Sequence, residues 1–419
     1  MFDTIYDVCI IGAGASGLVA AIESSRRGLS CIVIDKNKKA GRKLYATGNG
    51  RCNLTNDEWD ETSYYENAFP DAVFDALYNK ISKHPRNFVV DYFDWIGIKT
   101  TDKDGYVYPA SLEASSVVWS LNDTALSYGA VFLYDHKAVK ISEINVSTHG
   151  DLYETAVVNT KDEGDNQFII SRNVIISCGS CAAPSIGSAD KDETEMLFDS
   201  ARIPYNSFSS ALCPVHISGD MAPLAGVRTK ARVTIGDHSE FGELQITDYG
   251  ISGIVVFNLA YYMEPGDEVS INIIPKIDQD EFFADFKKQK EYFPERSLIL
   301  FLNGYVNDKL CSYFASKVYG EIKPNLGDIN ENGIRSIYEE MSDWRLKVLK
   351  KAGFDNCQAV KGGIVTSVIN PATMRIEADR CIGDKLYAVG EATDVLGKCG
   401  GYNLTYAFIT GYLAGRSVK

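Results

Sequence analysis

The sequence predicts an α/β protein: a Rossmann-like dinucleotide-binding domain formed by both ends of the chain, with an inserted β-barrel and a small helical subdomain. Three observations carry this. A glycine fingerprint, Gly12, Gly14 and Gly17, stands between an apolar run and a helical pattern. After about residue 200, short apolar runs broken by Gly, Pro and Asp suggest strands of a small barrel or sandwich. A final strand, polar loop and apolar helix close the chain after residue 385. The expected boundaries are 1–193 and 357–419 for the nucleotide domain, 194–276 and 342–356 for the barrel, and 277–341 for the helices.

The fingerprint belongs to a complete βαβ unit. Residues 8–11 form a continuous apolar run, the pattern of a strand buried on both faces. Gly12 permits the tight turn off that strand. Gly14 has no side chain, so a pyrophosphate can approach the backbone, and Gly17 lets the helix lie close to the sheet. Ala15 and Ser16 open that helix, whose unpaired N–H groups and positive dipole end attract phosphate. The helical pattern ends at Gly28, and a second apolar strand, 31–34, closes on Asp35. A carboxylate about 20 residues past the glycines accepts ribose hydroxyls; Lys36 follows it.

NAD and FAD both use this fingerprint, and the next segment separates them. Gly41-Arg42-Lys43 and Thr47-Gly48-Asn49-Gly50-Arg51-Cys52-Asn53 form a glycine-rich, cationic loop. Such a loop can run along a ribityl chain and pyrophosphate, with Arg42, Lys43 and Arg51 offsetting charge. It resembles the G-R-K-x-x-x-[ST]-G-x-G-R-C-N segment of a bacterial NAD(P)/FAD-dependent oxidoreductase family. Members of that family are labelled aminoacetone-oxidase-like enzymes or dehydro-bile-acid reductases. The resemblance implies a non-covalently held FAD and makes the Rossmann-like domain an FAD-binding one.

Composition sets the wider frame. A chain of 419 residues can hold two or three cores, and 45% apolar with 23% charged residues is ordinary for a globular protein. No run approaches the ~18 apolar residues that span a bilayer. Residues 1–4 carry no basic region before the first strand, so no signal peptide is expected and the cytoplasm is the default. A formal net charge of −14 disfavours nonspecific binding to nucleic acid or anionic membranes. The expected partner is therefore a small-molecule substrate, with no nucleic acid and no membrane; the oligomeric state stays open. The 10 cysteines are scattered. Cys178 and Cys181 spell C-x-x-C, readable as a redox pair or as the end of a buried strand. With 5 histidines and no second C-x-x-C, no metal site is expected.

Along the chain, residues 68–95 read as two amphipathic helices. Residues 102–105 are a turn between short strands, and 106–109 lead to a helix over about 112–128. Residues 130–144 read as a strand pair, 153–160 and 167–172 as a hairpin across the polar turn 161–166, and 174–177 as a further strand. By resemblance to flavoproteins of this build, Val139 passes its backbone beside the adenine. By the same resemblance, Cys178 and Gly179 return toward the FAD, although Ser177, Cys178 and Ser180 stand where Ala, Thr and Gly are usual.

The barrel strands are expected near 212–215, 231–235, 242–247 and 268–274, with 344–349 returning to them. Within them ELQITDYGISG resembles the family's E-L-L-F-T-H-Y-G-[LI]-S-G, with Asp248 in place of the usual His. Residues 278–342 read as helices that cap or support the barrel. At the end, a strand runs into Gly390 and Glu391, and Gly400, Gly401, Tyr402, Asn403 and Leu404 lead into an apolar helix expected from 406. The family shares this G-E-x-x-D-x-x-G-x-x-G-G-Y-N-L pattern. The resemblance puts Glu391 on the ribityl chain or phosphate and the helix N-terminus at the flavin pyrimidine, where its positive end stabilises the reduced ring.

The function expected is an FAD-dependent oxidoreductase that reduces an activated C=C bond, or a related acceptor, of a small hydrophobic substrate. With one complete fingerprint only, NAD(P)H would visit from the substrate side as a transient electron donor. Alternatives are an amine oxidase using oxygen and a non-catalytic FAD-binding regulatory module. Candidate proton donors are Tyr249, Lys361 and Tyr402.

Overall fold

The structure, a computed structural model, describes residues 4–59, 62–147, 150–162 and 164–419. The leaderless start expected at residues 1–4 rests largely on residues 1–3, and the turn expected at 161–166 contains Glu163; those residues lie outside the described ones. The chain divides into two compact units, one running to Ser209 and resuming over Ala359–Lys419, the other Ser210–Gln358.

The first unit opens with β1 (Ile5–Ile11), α1 (Ala15–Ser25) and β2 (Cys31–Ile34). A winding glycine loop leads to β3 (Thr55–Asn56), α2 (Ala68–Ile81) and α3 (Pro85–Trp95). Then come β4 (Thr100–Lys103), β5 (Tyr106–Pro109) and α4 (Ala114–Ser127). β6 (Val131–Leu133), β7 (His136–Val146), β8 (Gly150–Asn159), β9 (Asn166–Ile176) and α5 (Lys191–Ser200) follow. The main sheet runs β6-β2-β1-β9-β8-β7. β6, β2, β1 and β9 are parallel neighbours, with Ile10 opposite Val33 on one side and Ile175 on the other. Val8, Cys9 and Ile10 are fully buried, as a strand covered on both faces requires.

Two expectations about strands give way here. Residues 130–144 hold two strands that do not pair with each other: β6 joins β2 and β7 joins β8. The chain turns at Asp135, in the left-handed region at φ 56°, and the parallel partner wins over the adjacent one. Residues 174–176 are the far half of β9 rather than a separate strand. β9 pairs antiparallel with β8 over its first half and parallel with β1 over its second. The first unit also runs past the expected boundary at 193. Phe198 of α5 is fully buried, Ser200 Oγ accepts from Ile141 N (3.0 Å), and Glu195 accepts from Phe208 N (3.0 Å). β10 (Tyr205–Ala211) leaves the sheet region.

The second unit begins with β11 (Val215–Ile217), β12 (Arg228–Ile235), β13 (His238–Ile246), β14 (Gly250–Ser252), α6 (Ile254–Leu259) and β15 (Glu268–Asn272). Four helices follow: α7 (Gln279–Tyr292), α8 (Leu298–Leu302), α9 (Asp308–Tyr319) and α10 (Glu331–Ser342). β16 (Trp344–Lys351) closes a barrel of order β11-β14-β13-β12-β15-β16. Val233, Leu244, Ile271 and Trp344 of its strands are fully buried, Trp344 against Tyr313 and Phe314 of α9. Asp278, Asn307 and Asn330 cap α7, α9 and α10 through their side chains, which marks each helix start in the sequence.

The chain re-enters the first unit at β17 (Ala359–Ile364), which pairs with β10. β18 (Leu386–Ala388) then adds parallel to β9, and α11 (Tyr402–Ser417) ends the fold. α11 starts at Tyr402 rather than 406, because Gly401 at φ 93° turns the chain directly into it. Nearly every face of α11 is buried, as in a core helix. It lies against α1 at backbone range: a Cβ on Gly411 would fall 2.3 Å from Ser16 O, and one on Gly415 2.7 Å from Ala20 O. Arg27 Nη1 closes the far end, donating to Gly415 O (3.0 Å) and Val418 O (2.8 Å). Among the described residues no helix is long and apolar enough to cross a membrane.

Two tests follow from this packing. Gly411→Val should cost about 3 kcal/mol, since backbone on both sides cannot yield; a urea midpoint equal to wild type would contradict the contact. The second concerns Glu23, whose side chain is 1% exposed, 3.7 Å from Arg26 and 4.0 Å from Arg416. Burial raises its pKa above 4.5, outweighing both arginines. The folded chain therefore binds the proton more tightly than the unfolded one. Stability is lost as pH rises from 4.5 through the raised folded value. The arginines, 43% and 46% exposed, keep their hydration without Glu23. Glu23→Gln should thus gain about 1 kcal/mol at pH 7 and flatten that slope in urea titrations across pH.

Candidate functional site

The opening turn has the geometry its glycines predict. Gly12 sits at φ 106°, and a Cβ there would lie 2.4 Å from Ser177 O, because the end of β9 crosses directly beside it. A Cβ on Gly17 would meet Gly12 O at 1.9 Å, whereas one on Gly14 would meet nothing within 4 Å. The open side at Gly14 is the cradle a phosphate needs. No side chain caps α1 at that end, so its first N–H groups stay available. Ala15 and Ser16 form the first turn, and Ser16 is buried.

Asp35 is locked at the end of β2. Its Oδ2 accepts from Ala13 N (2.8 Å), and its Oδ1 accepts from Asn37 N (2.8 Å). Burial raises its pKa above the usual carboxylate range, although these N–H groups pull the other way. Oδ1 also accepts from Asn37 Nδ2 (3.0 Å), so it is Oδ2 that retains lone-pair capacity for a hydroxyl donor. Lys36 turns aside, donating to Ser188 O at 2.5 Å. Val139 lies at a register shift in β7, between the pairs Ala138–Val157 and Lys140–Ala156. That bulge leaves Val139 without a ladder partner.

The cationic loop is folded tightly: Gly41 N donates to Ala13 O (2.8 Å) and Cys52 N to Thr47 O (3.0 Å). Gly48, Asn49, Gly50 and Cys52 all adopt positive φ. The Lys43 ammonium pairs with Glu391 at 2.6 Å. Ser180 Oγ donates to the same carboxylate oxygen (3.4 Å), and Gly179 lies beside it. This ion pair draws together the first loop, the segment after β9 and the segment after β18. Arg42 and Arg51 are exposed; the stem of Arg42 runs against Gly187.

The C-terminal segment seats on the same loop. Asn56 Nδ2 donates to Gly400 O (3.0 Å), Tyr64 Oη to Tyr402 O (2.9 Å) and Tyr402 Oη to Glu58 O (2.7 Å). Asn403 is engaged with its own turn, accepting from Gly397 N and donating to Gly397 O, each at 2.8 Å. Gly390 at φ 62° fits against Ser16 Oγ, and half-buried Leu404 opens α11. No side chain caps α11 either. Asn53 Oδ1, buried and without a hydrogen-bond partner, lies 3.0 Å from the position of a Gly401 Cβ. An orphaned acceptor beside the uncapped start of α11 suits a ligand ring bearing N–H groups.

Of the three candidate proton donors, Tyr402 has its phenol tied to a backbone carbonyl. Lys361 is exposed on β17, and Tyr249 lies in the second unit, stacked on His216 at 4.5 Å. Cys178 and Cys181 form no disulfide, and burial pushes Cys178 up to about 12, which keeps it a protonated thiol at neutral pH. Sequence reasoning missed Asn56, Glu58, Tyr64 and the tyrosines of β5. The alternation over 106–109, tyrosines on one face, was the available signal.

A family profile described as HI0933-like protein Rossmann domain matches residues 6–417. The chain is 31% identical to the 3-dehydro-bile acid delta(4,6)-reductase of Clostridium scindens, over 97% of this chain and 98% of that one. It is 24% identical to the ribosomal RNA dihydrouridine synthase of Escherichia coli, over 96% and 95%. Among solved structures, a 3-ketosteroid delta1-dehydrogenase from Sterolibacterium denitrificans aligns with a TM-score of 0.48 at 12% identity, covering 99% of each chain.

The open space at Gly14 gives a clean test. Gly14→Val should leave the unfolding midpoint of the apoprotein within ~0.5 kcal/mol of wild type while flavin absorbance after purification is lost. Retention of full flavin absorbance would refute a phosphate at this turn.

Proposed function

The chain belongs to the HI0933-like Rossmann family and is an FAD-dependent oxidoreductase; within that class we propose that it reduces a C=C bond conjugated to a carbonyl in a small hydrophobic substrate, with NAD(P)H as the transient donor. The observation that supports this most is the end-to-end similarity to a reductase of that bond type. Bound FAD supplies hydride chemistry; the protein supplies position and charge. In this reading the Gly12–Gly17 turn holds the pyrophosphate, Asp35 the adenosine ribose and Val139 the adenine edge. Glu391, fixed by Lys43, meets the ribityl chain, and the start of α11 faces the flavin pyrimidine with Asn53 Oδ1 as an acceptor.

A second reading has specific support. Two relatives, 24% and 25% identical, are named ribosomal RNA dihydrouridine synthases. The C=C bond of uracil is also conjugated to a carbonyl, so the same flavin chemistry would serve. Against RNA stands the net charge of −14, which weakens the phosphate contacts that dominate nucleic-acid affinity. We favour the small molecule and a cytoplasmic setting, in keeping with ten cysteines that form no disulfide.

Anaerobic mixing with NADH or NADPH, followed by a reoxidation screen, tests the assignment. A cyclic enone such as a 3-oxo-4-ene steroid should restore the yellow colour at least ~10-fold faster than buffer does, a difference of about 1.4 kcal/mol in barrier. Colour restored by unmodified ribosomal RNA alone would move the assignment to RNA. Reoxidation by air alone, with peroxide formed and amines as reductants, would mark an oxidase. No bleaching by any donor would leave a binding module.

A further inference from the structure

Strand β5 presents two tyrosines that the cofactor reading does not use. Val107 and Pro109 are buried, while Tyr106 and Tyr108 are half-buried on the opposite face. Tyr106 stands in register with Asn56, the residue that holds Gly400 O. Tyr108 lies over the glycine loop: a Cβ on Gly48 would sit 3.6 Å from its Cε1. The pair therefore bridges the two segments assigned above to the flavin. Neither phenol is tied by a hydrogen bond to any described residue. Burial raises both phenol pKa values; Tyr108, Cys399, Glu58 and Asp104 surround Tyr106 electrostatically, and Arg51 acts on Tyr108. Both phenols are thus protonated donors at neutral pH.

We propose that Tyr106 and Tyr108, with the Arg51 guanidinium, form the wall that receives the carbonyl oxygen of an α,β-unsaturated ketone. This rests on the reductase reading above. Were bound FAD to supply hydride to the β-carbon, a C–H bond would form there and the π pair would shift through the α-carbon onto oxygen. The two phenol hydrogen bonds and the arginine charge stabilise that enolate. The α-carbon then takes one proton from water and the carbonyl re-forms, so one hydride and one proton are added and the phenols end unchanged.

A phenolate carries the same oxyanion on an unreactive ring, so 4-nitrophenol serves as the probe on oxidised holoenzyme. Its absorbance reports ionisation without turnover. Wild type should bind the ionised form preferentially, with the probe titrating at lower pH than free in solution. Tyr106→Phe and Tyr108→Phe, which keep the rings, should each weaken binding about 10-fold with flavin content unchanged. Arg51→Gln should abolish the preference for the ionised form. Phe variants that bind the probe as wild type does, or a wild type that binds the protonated form equally well, would overturn the wall. Probe affinity lost in the variants while no enone reoxidises the wild type would instead uphold the wall and sink the reductase reading.

Discussion

The first unit depends on the backbone contact between α1 and α11. Gly411 and Gly415, one helical turn apart, face Ser16 and Ala20, also one turn apart. Any Cβ at these two glycines would enter α1 backbone, so small residues set the interaxial distance. The contact order rises together along both helices, from Ser16 with Gly411 to Ala20 with Gly415, so they run parallel. Their N-termini consequently point the same way, and the last residues of the chain are placed by the first twenty-five. A long-range contact of this kind pays its loop-closure entropy once and then positions everything attached to either helix.

The remaining contacts of the site tie loops to that helix pair. Lys43 with Glu391 and Asn56 with Gly400 each join residues more than three hundred positions apart. The Lys43–Glu391 pair is half-buried, which screens it less than a surface pair and gives it geometric value beyond a modest energy. Buried Tyr402 fills the space between Trp59 and Tyr64, with ring centroids 5.3 and 6.1 Å away. Its hydroxyl, read from the sequence as a possible proton donor, anchors this aromatic cluster to Glu58 O.

What the sequence made legible was local. The βαβ unit, the turn at Asp104-Gly105, the paired helices over 68–95 and the barrel's return strand each follow from a period or a turn signal a few residues long. What it hid was partner choice. Nothing in residues 130–144 says that β6 will prefer β2 to its neighbour, because parallel pairing depends on a strand a hundred positions upstream. Nothing near Lys43 names Glu391. The same limit applied to the site: glycines and charges announced themselves, while Tyr106 and Tyr108 looked like ordinary strand residues until Asn56 and Gly48 were found beside them.

The stagger of the two parallel helices has a functional consequence. α1 begins one residue before its contact with Gly411, whereas α11 begins nine residues before the same contact. At 1.5 Å per residue, the start of α11 projects roughly 12 Å beyond the start of α1. That distance is of the order of a ribityl chain plus its ring system. Two uncapped, positive helix ends are thus held in parallel at a fixed spacing, and the proposed reading sets the pyrophosphate at the nearer and the flavin ring at the farther. Asn53 Oδ1 and the β5 tyrosines cluster at the farther end, where Gly400 and Gly401 turn the chain into α11. Asn53 Oδ1, buried without a hydrogen-bond partner, and the two β5 phenols are the polar groups that a ring bound at that end, as proposed above, would complete.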